Sequence, residues 1–297
     1  MNNIYNRCIW LLNTVYQERK VTFERLCEIW KHHFLYNGKP LSLRTFHHHR
    51  KMMEENFDIV IACDRKDYTY YIQNMDEILG DSCRNWLFNS RIIDVALKSS
   101  MCLFHRIVLP DMSRGIQYLP DISECISEGH ELYIFYTNDR GNEVEGRFQP
   151  EGLKLFRNRW YMLGYRNGSE FCAVPLDALK NIYLSGNSFQ TDYRFSLAER
   201  ISDSIGVVVP DGQQPETVSL KAYGHFANYL RKYPFHHSQV ERNNMGTFTS
   251  FDYRLLVTDE LVDEILALGD KVEITYPEKL RMKLLQKIGR IRSRYAM

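Results

Sequence analysis

Arg157-Asn158-Arg159-Trp160-Tyr161-Met162-Leu163-Gly164-Tyr165 decides how the middle of this chain is read. Aromatic and aliphatic residues crowd the stretch and turn residues bound it, so it reads as a half-buried β-strand. Asn167-Gly168 closes it with a hairpin signal, and the next strand runs from Glu170 to Leu176. A plain core strand has no need of two arginines at its entrance beside Trp160 and Tyr161. An anion site with a stacking surface does.

Outward from that strand, further strands are expected at Glu131–Thr137, Val144–Phe148, Leu153–Phe156 and Lys180–Leu184. A short helix over Ile122 to Glu128 precedes them and ends at Gly129. A short helix followed by a run of bent short strands suggests a small β-barrel. Arg147, Arg157, Arg159 and Arg166 accompany an aromatic set of Tyr133, Tyr136, Trp160, Tyr161 and Tyr165. Arginine forks suit phosphate and aromatic faces suit bases, which points to an anionic, nucleotide-like ligand. The competing reading makes Trp160 and Tyr161 core aromatics and the arginines ordinary surface.

Toward the N-terminus, Ile4, Cys8, Leu11, Leu12 and Val15 recur at helical spacing. Thr22 starts a second helix whose apolar side is Phe23, Leu26, Cys27, Ile29, Trp30 and Phe34. Ser42 is a good N-cap for a third, reaching about Asn56. Ile59–Cys63 and Tyr68–Ile72 then read as two strands around a polar turn. Three helices and a β-hairpin are the layout of a winged helix-turn-helix, with the third helix as reader of the major groove. At about 100° per residue, Phe46, His49, Met53 and Phe57 share one face and pin that helix to a core. Arg44, His48 and Lys51 share the opposite face, with His47 on its flank. Ser42, Arg44, Thr45, His47, His48 and Lys51 are therefore the DNA-binding candidates. A solvated polar face is the alternative, and Glu54 and Glu55 would repel phosphate. Neither His47-His48-His49 nor His32-His33 can chelate one ion, because neighbours on a helix point in different directions. Asn74 to Ser100 is expected to be largely helical, either transmitting a rotation or packing as a dimer or interdomain helix.

Beyond the middle region, Leu197 to Gly206 looks helical and a linker follows to Pro215. Strands at Thr217–Ala222, Phe248–Val257 and Lys271–Tyr276 alternate with helices at Phe226–Lys232, Asp259–Leu268 and Pro277–Tyr295. That pattern suggests an α+β sandwich of ferredoxin-like type. His236 and Ser238 stand at a strand start, where ligand contact and a turn or cap role are both open.

The 297 residues suit two or three domains, and a hydrophobic content of 44% with 25% charged residues is that of an ordinary globular protein. A net charge of +1 gives no global attraction for nucleic acid, so any DNA-binding surface must be local. No apolar run is long enough to span a bilayer and no secretory signal is recognised, which argues for a cytoplasmic protein without a membrane partner. Seven cysteines lack C-x-x-C spacing and are expected to be reduced, with no metal site. No G-x-S-x-G, H-E-x-x-H or phosphate-binding Gly-rich loop is present, so no enzyme activity and no cofactor are expected.

Trp160-Tyr161-Met162 resembles the Trp-Tyr-Leu signature of the WYL domain, found in bacterial transcription regulators. Tyr133-Ile-Phe-Tyr136, Gly141 and Arg147-Phe-Gln-Pro150 are similar to that family's lead-in, and Leu176-Asp177-Ala178-Leu179 to its Leu-Asp-Arg-Ile. Ser42-Leu-Arg-Thr45 resembles the opening of recognition helices attached to WYL domains, although His48-His49 stand where Arg-Asp is frequent. Phe235-His236-His237-Ser238-Gln239 and Pro277-Glu-Lys-Leu-Arg281 are similar to the C-terminal WCX extension. The resemblance implies an α+β multidomain chain: a winged helix over 1–75, a helical linker over 76–116, an Sm-like WYL barrel over 117–190, a linker over 191–215 and a WCX domain over 216–297. It further implies a homodimeric regulator that binds double-stranded DNA and senses a small anionic or nucleic-acid effector. Tyr136, Arg147, Arg157, Arg159, Trp160, Tyr161, His236 and Ser238 would contact the effector. Family arginines are replaced at Cys172, Pro175 and Ala178, which weakens the usual anion pocket or shifts preference to a less charged ligand. The rival reading is a single-stranded nucleic-acid or RNA-binding module without duplex recognition.

Overall fold

The computed structural model describes residues 2–33, 36–99, 105–111, 113–190 and 196–296. Phe34, Ser100, Cys102 and the start of the 191–215 linker lie outside them, as do the side chains of Phe57 and Val95. The chain is a mixed α/β protein with three antiparallel sheets among the described residues, divided into two compact units, Met1–Pro110 and Asp111–Met297.

In the first unit, α1 spans Asn2–Glu18, β1 Val21–Thr22, α2 Phe23–His32 and α3 Leu43–Phe57. The hairpin β2 (Ile61–Asp64) and β3 (Thr69–Ile72) follows, then α4 (Met75–Gly80) and α5 (Ser82–Ser99). Thr22 caps α2 by accepting from the Arg25 amide, and Ser42 caps α3 by accepting from Thr45, satisfying donors a helix start leaves open. The small sheet runs β1-β3-β2. Cys8, Leu11, Leu12, Leu26, Trp30, Phe46, Met53, Ile59, Ile61 and Tyr70 form the core. The expected single helix after the hairpin is two, because the chain turns at Asp81, whose carboxylate accepts from the Arg84 amide.

In the second unit, α6 (Leu119–Glu128) ends at Gly129 in the left-handed region. The strands are β4 (His130–Thr137), β5 (Glu143–Phe156), β6 (Arg159–Arg166), β7 (Glu170–Pro175) and β8 (Leu179–Ser188). They pair as β7-β6-β5-β4-β8, so the expected closure into a barrel does not occur. The edge strands β7 and β8 share no ladder, and the sheet stays open. Ile122, Leu132, Ile134, Phe148, Met162 and Leu176 pack between it and α6.

The two strands expected at Val144–Phe148 and Leu153–Phe156 are one strand. β5 pairs with β4 through its first half and with β6 through its second, and its register shifts between Pro150 and Gly152. That bulge bends the strand without ending it. Gly164 faces it from β6, where an added Cβ would sit 2.0 Å from the Gln149 carbonyl oxygen.

After α7 (Leu197–Arg200), β9 (Glu216–Tyr223), α8 (Phe226–Lys232), β10 (Val240–Asn244), β11 (Phe248–Leu255), α9 (Asp259–Ala267), β12 (Val272–Tyr276) and α10 (Glu278–Tyr295) complete the chain. This sheet runs β10-β11-β9-β12. β10 is absent from the sequence reading because all five of its residues are exposed on an edge, without apolar alternation. The helix expected over Leu197–Gly206 stops at Arg200; the chain beyond continues as turns, with the Ser202 and Ser204 amides donating to the Glu199 and Ile201 carbonyls, and Glu260 accepts from the Val207 and Val208 amides at 3.2 and 2.9 Å.

Gly164→Ala is expected to destabilise the second unit by about 1–3 kcal/mol through overpacking against the bulge. Amide hydrogen exchange across residues 143–166 in rising urea reports it; an unchanged midpoint would contradict the close approach of β5 and β6.

Candidate functional site

The third helix sorts its residues by face. Phe46, His49 and Met53 are buried, whereas Ser42, Arg44, His47, His48 and Lys51 are exposed and Thr45 is half-buried. Arg50 lies between, its guanidinium 5.3 Å from the Tyr70 ring. Lys51 pairs with Glu55 at 3.3 Å, one turn on, so part of its charge is met within the helix. The outward groups thus cluster in the first two turns, where the helix dipole is positive and four amides point outward.

His49 is only 2% exposed and its Nδ1 has no hydrogen-bond partner. Burial, with the charges of His48 and Arg7 in support, pushes its pKa down to about 4. It is a core histidine and not a ligand.

In the middle sheet the arginines are met by acids. Arg157 reaches Glu264 of α9 at 2.6 Å, and Arg159 Nε donates to both oxygens of Asp177 at 2.8 Å. Arg166 pairs with Glu170 and donates to the hydroxyl of the buried Tyr136 at 3.1 Å. Trp160 packs against the core and Tyr161 lies beneath Arg159. These residues do not form one anion site.

His236 and Ser238 hold the chain instead. His236 Nε2 donates to the Ser202 carbonyl at 2.6 Å, and its Nδ1 faces Ser238 Oγ at 2.7 Å. Ser238 Oγ also accepts from the Arg254 amide at 3.0 Å. Burial and neighbouring His237 lower the His236 pKa, so the ring stays neutral with the proton on Nε2.

Arg147 does line a cleft of about 500 Å³, together with Glu131, Tyr133, Gly146, Gln149, Asn167 and Gly168. Strand register explains the grouping. Tyr133 stands opposite Arg147, and side chains of one face recur every second residue, so Glu131, Tyr133, Arg147 and Gln149 share the face away from the core. Glu131 is buried. It accepts from Ser185 Oγ and Asn187 Nδ2 at 2.9 Å and from Gln149 Nε2 at 3.3 Å, with Arg147 Nε at 4.0 Å. Burial alone would raise its pKa; these donors and the Arg147 charge outweigh it and hold the carboxylate below its ordinary range.

Sequence reasoning found Arg147 but missed Glu131, Gln149 and Asn167. Their only sequence signal is alternation on paired strands, legible once the register is known. A second cleft of about 420 Å³ lies along α2, lined by Arg25, Glu28, Ile29, His32 and His33. Among the described residues no group of three or more His, Cys, Asp or Glu is placed to hold a metal, and no helix is long and apolar enough to cross a membrane.

Residues 117–183 match the WYL domain family. The chain carries a WYL domain. Among solved structures, the proteasome accessory factor B/C of Arthrobacter aurescens is 15% identical, with a TM-score of 0.37. That match covers 97% of this chain and 46% of the other, so this chain spans less than half of that protein's length. A CRISPR Cas-related protein is 10% identical over 86% of this chain and 75% of the other, with a TM-score of 0.39. No curated protein matches the chain closely enough to stand as a relative.

The buried neutral His49 makes stability pH-dependent. Its pKa falls from an ordinary 6.5 to about 4 on folding, so the unfolded chain binds the proton more readily. Its contribution is complete above pH 6.5 and is lost as the pH drops toward 4, by on the order of 3 kcal/mol in total. Urea unfolding of the full chain at pH 7 and pH 5, with and without His49→Gln, checks this. The variant should flatten the pH response; an unaltered response would contradict the assignment.

Proposed function

We propose that the protein is a DNA-binding transcription regulator whose WYL domain binds a nucleotide-like or nucleic-acid effector. The first unit serves as a winged helix-turn-helix, with α3 as the reading helix and the β2–β3 hairpin as the wing. The chain past the WYL domain serves as a ferredoxin-like WCX extension. The active species is a homodimer, and effector binding shifts the population competent for DNA. We read the protein as a binder and not as an enzyme.

One observation carries the reading: a helix pinned by Phe46, His49 and Met53 presents Ser42, Arg44, His47 and His48 to solvent at its N-terminal end. That is the end from which helix-turn-helix readers reach base edges. The exposed Glu54 and Glu55 confine favourable contact with phosphate to the first two turns.

A gel shift on duplex from the protein's own upstream region tests the proposal. Arg44→Ala should weaken retention by about 1–3 kcal/mol, roughly five- to a hundredfold, and lower the salt slope by about one if the contact is to phosphate. Lys51→Ala should cost less, because Glu55 already holds that side chain. Retention of single strands alone, or equal duplex binding by Arg44→Ala, would overturn the assignment of α3.

A further inference from the structure

The cleft on β4 and β5 has no net charge to offer an anion. Its lining holds one carboxylate, Glu131, and one guanidinium, Arg147, with Glu131 Oε1 4.0 Å from Arg147 Nε. Glu131 remains ionised. A phosphate drawn to Arg147 would meet that negative charge at comparable range, so attraction and repulsion nearly cancel. The other guanidiniums of the sheet are closed off by Glu264, Asp177 and Glu170.

What the cleft does offer is a row of hydrogen-bonding groups. Glu131 Oε1 is filled by Ser185 and Asn187, whereas Oε2 has one long bond, 3.3 Å from Gln149 Nε2. A carboxylate has about four acceptor positions, so Oε2 keeps capacity toward the cleft. Gln149 commits its amide nitrogen to Glu131 and so presents a carbonyl oxygen beside it. The Arg147 side chain is 62% exposed and supplies donors on the other flank. Tyr133, directly opposite Arg147 on the neighbouring strand, forms an aromatic wall. Gly146 and Gly168 leave the rim without side chains.

Resting on the reading of this domain as the effector sensor, we propose that the cleft recognises the edge of a guanine-type base. Guanine carries an acceptor, O6, next to two donors, N1–H and the N2 amino group. The cleft has the complement, a donor at Arg147 and acceptors at Glu131 Oε2 and Gln149, with Tyr133 against the ring face. Adenine, cytosine and uracil each offer one donor group, so each leaves an acceptor of the cleft unmatched, and unmatched buried polar groups are what discriminates ligands most sharply. The cleft volume, about 500 Å³, suits a ligand of nucleoside size.

Calorimetric titration of the full chain with guanosine, adenosine, cytidine, uridine, guanosine monophosphate and ribose 5-phosphate tests the proposal. Guanosine should bind at least about tenfold more tightly than the other nucleosides, as one unmatched hydrogen bond to a charged group requires. The monophosphate should gain little over guanosine, and ribose 5-phosphate should not compete. Glu131→Gln should lose guanosine by about tenfold or more. Tyr133→Ala, on the solvent face of the sheet, should weaken all nucleosides while circular dichroism stays unchanged; it keeps the test sound should Glu131→Gln fold poorly. A guanine-bearing trinucleotide, run in parallel, separates a base within a strand from a free nucleoside. Equal affinity for all four nucleosides, competition by ribose 5-phosphate, or no nucleoside binding overturns the proposal. Guanosine binding without duplex retention would keep this inference and sink the regulator; duplex retention without nucleoside binding would do the reverse.

Discussion

A carboxylate taken out of water costs several kcal/mol unless donors surround it. Glu131 is where the WYL domain meets that requirement, and much of the domain's outer face follows from it. Ser185 and Asn187 of β8 and Gln149 of β5 converge on one carboxylate of β4, so a single buried charge links three strands. The sheet remains open, with β7 and β8 unpaired to each other. The network orients Gln149 and places Arg147 at the rim, which makes the face selective in hydrogen bonding and neutral in charge.

Charge compensation recurs along the same strands. Arg157, Arg159 and Arg166 each have an acidic partner, met in each case through two close contacts. Exposed pairs of this kind contribute about 0–1 kcal/mol each to stability. Their larger effect is to remove guanidiniums from the pool available to phosphate. In α3 the balance differs, since Arg44, His47 and His48 face outward while Lys51 is paired to Glu55. β5 also joins two parts of the second unit. It carries Arg147 and Gln149 before its bulge and Lys154 after it, and Lys154 donates to the Gly206 carbonyl. Glu260 accepts from the next two amides and Arg157, just past β5, reaches Glu264, so this end of the strand is tied to α9 by side-chain contacts.

Local chemistry was the legible part of the sequence. Ser42 announced the start of α3, the spacing of Phe46, His49 and Met53 its buried face, and Asn167-Gly168 the turn between β6 and β7. The Trp-Tyr-Met run marked the WYL domain. What depends on distant residues was hidden. Gln149-Pro150-Glu151-Gly152 reads as a loop, yet it is a bulge within one strand because β6 continues the ladder past it. Arg157 and Glu264 lie 107 residues apart, and nothing local announces their pairing. Glu131 looked like an ordinary strand-opening residue until register set it beside Gln149 and Arg147. β10 escaped notice because an exposed polar edge strand has no periodicity to read.

The account rests on a division of labour: exposed polar groups at the start of α3 meet a duplex, and the neutral cleft of the WYL sheet does not bind phosphate. Amide hydrogen exchange of the full chain with and without upstream duplex DNA tests that division most directly. The account predicts slowed exchange across residues 42–51 and no change across 143–156. Protection of 143–156 with residues 42–51 unaffected would contradict it.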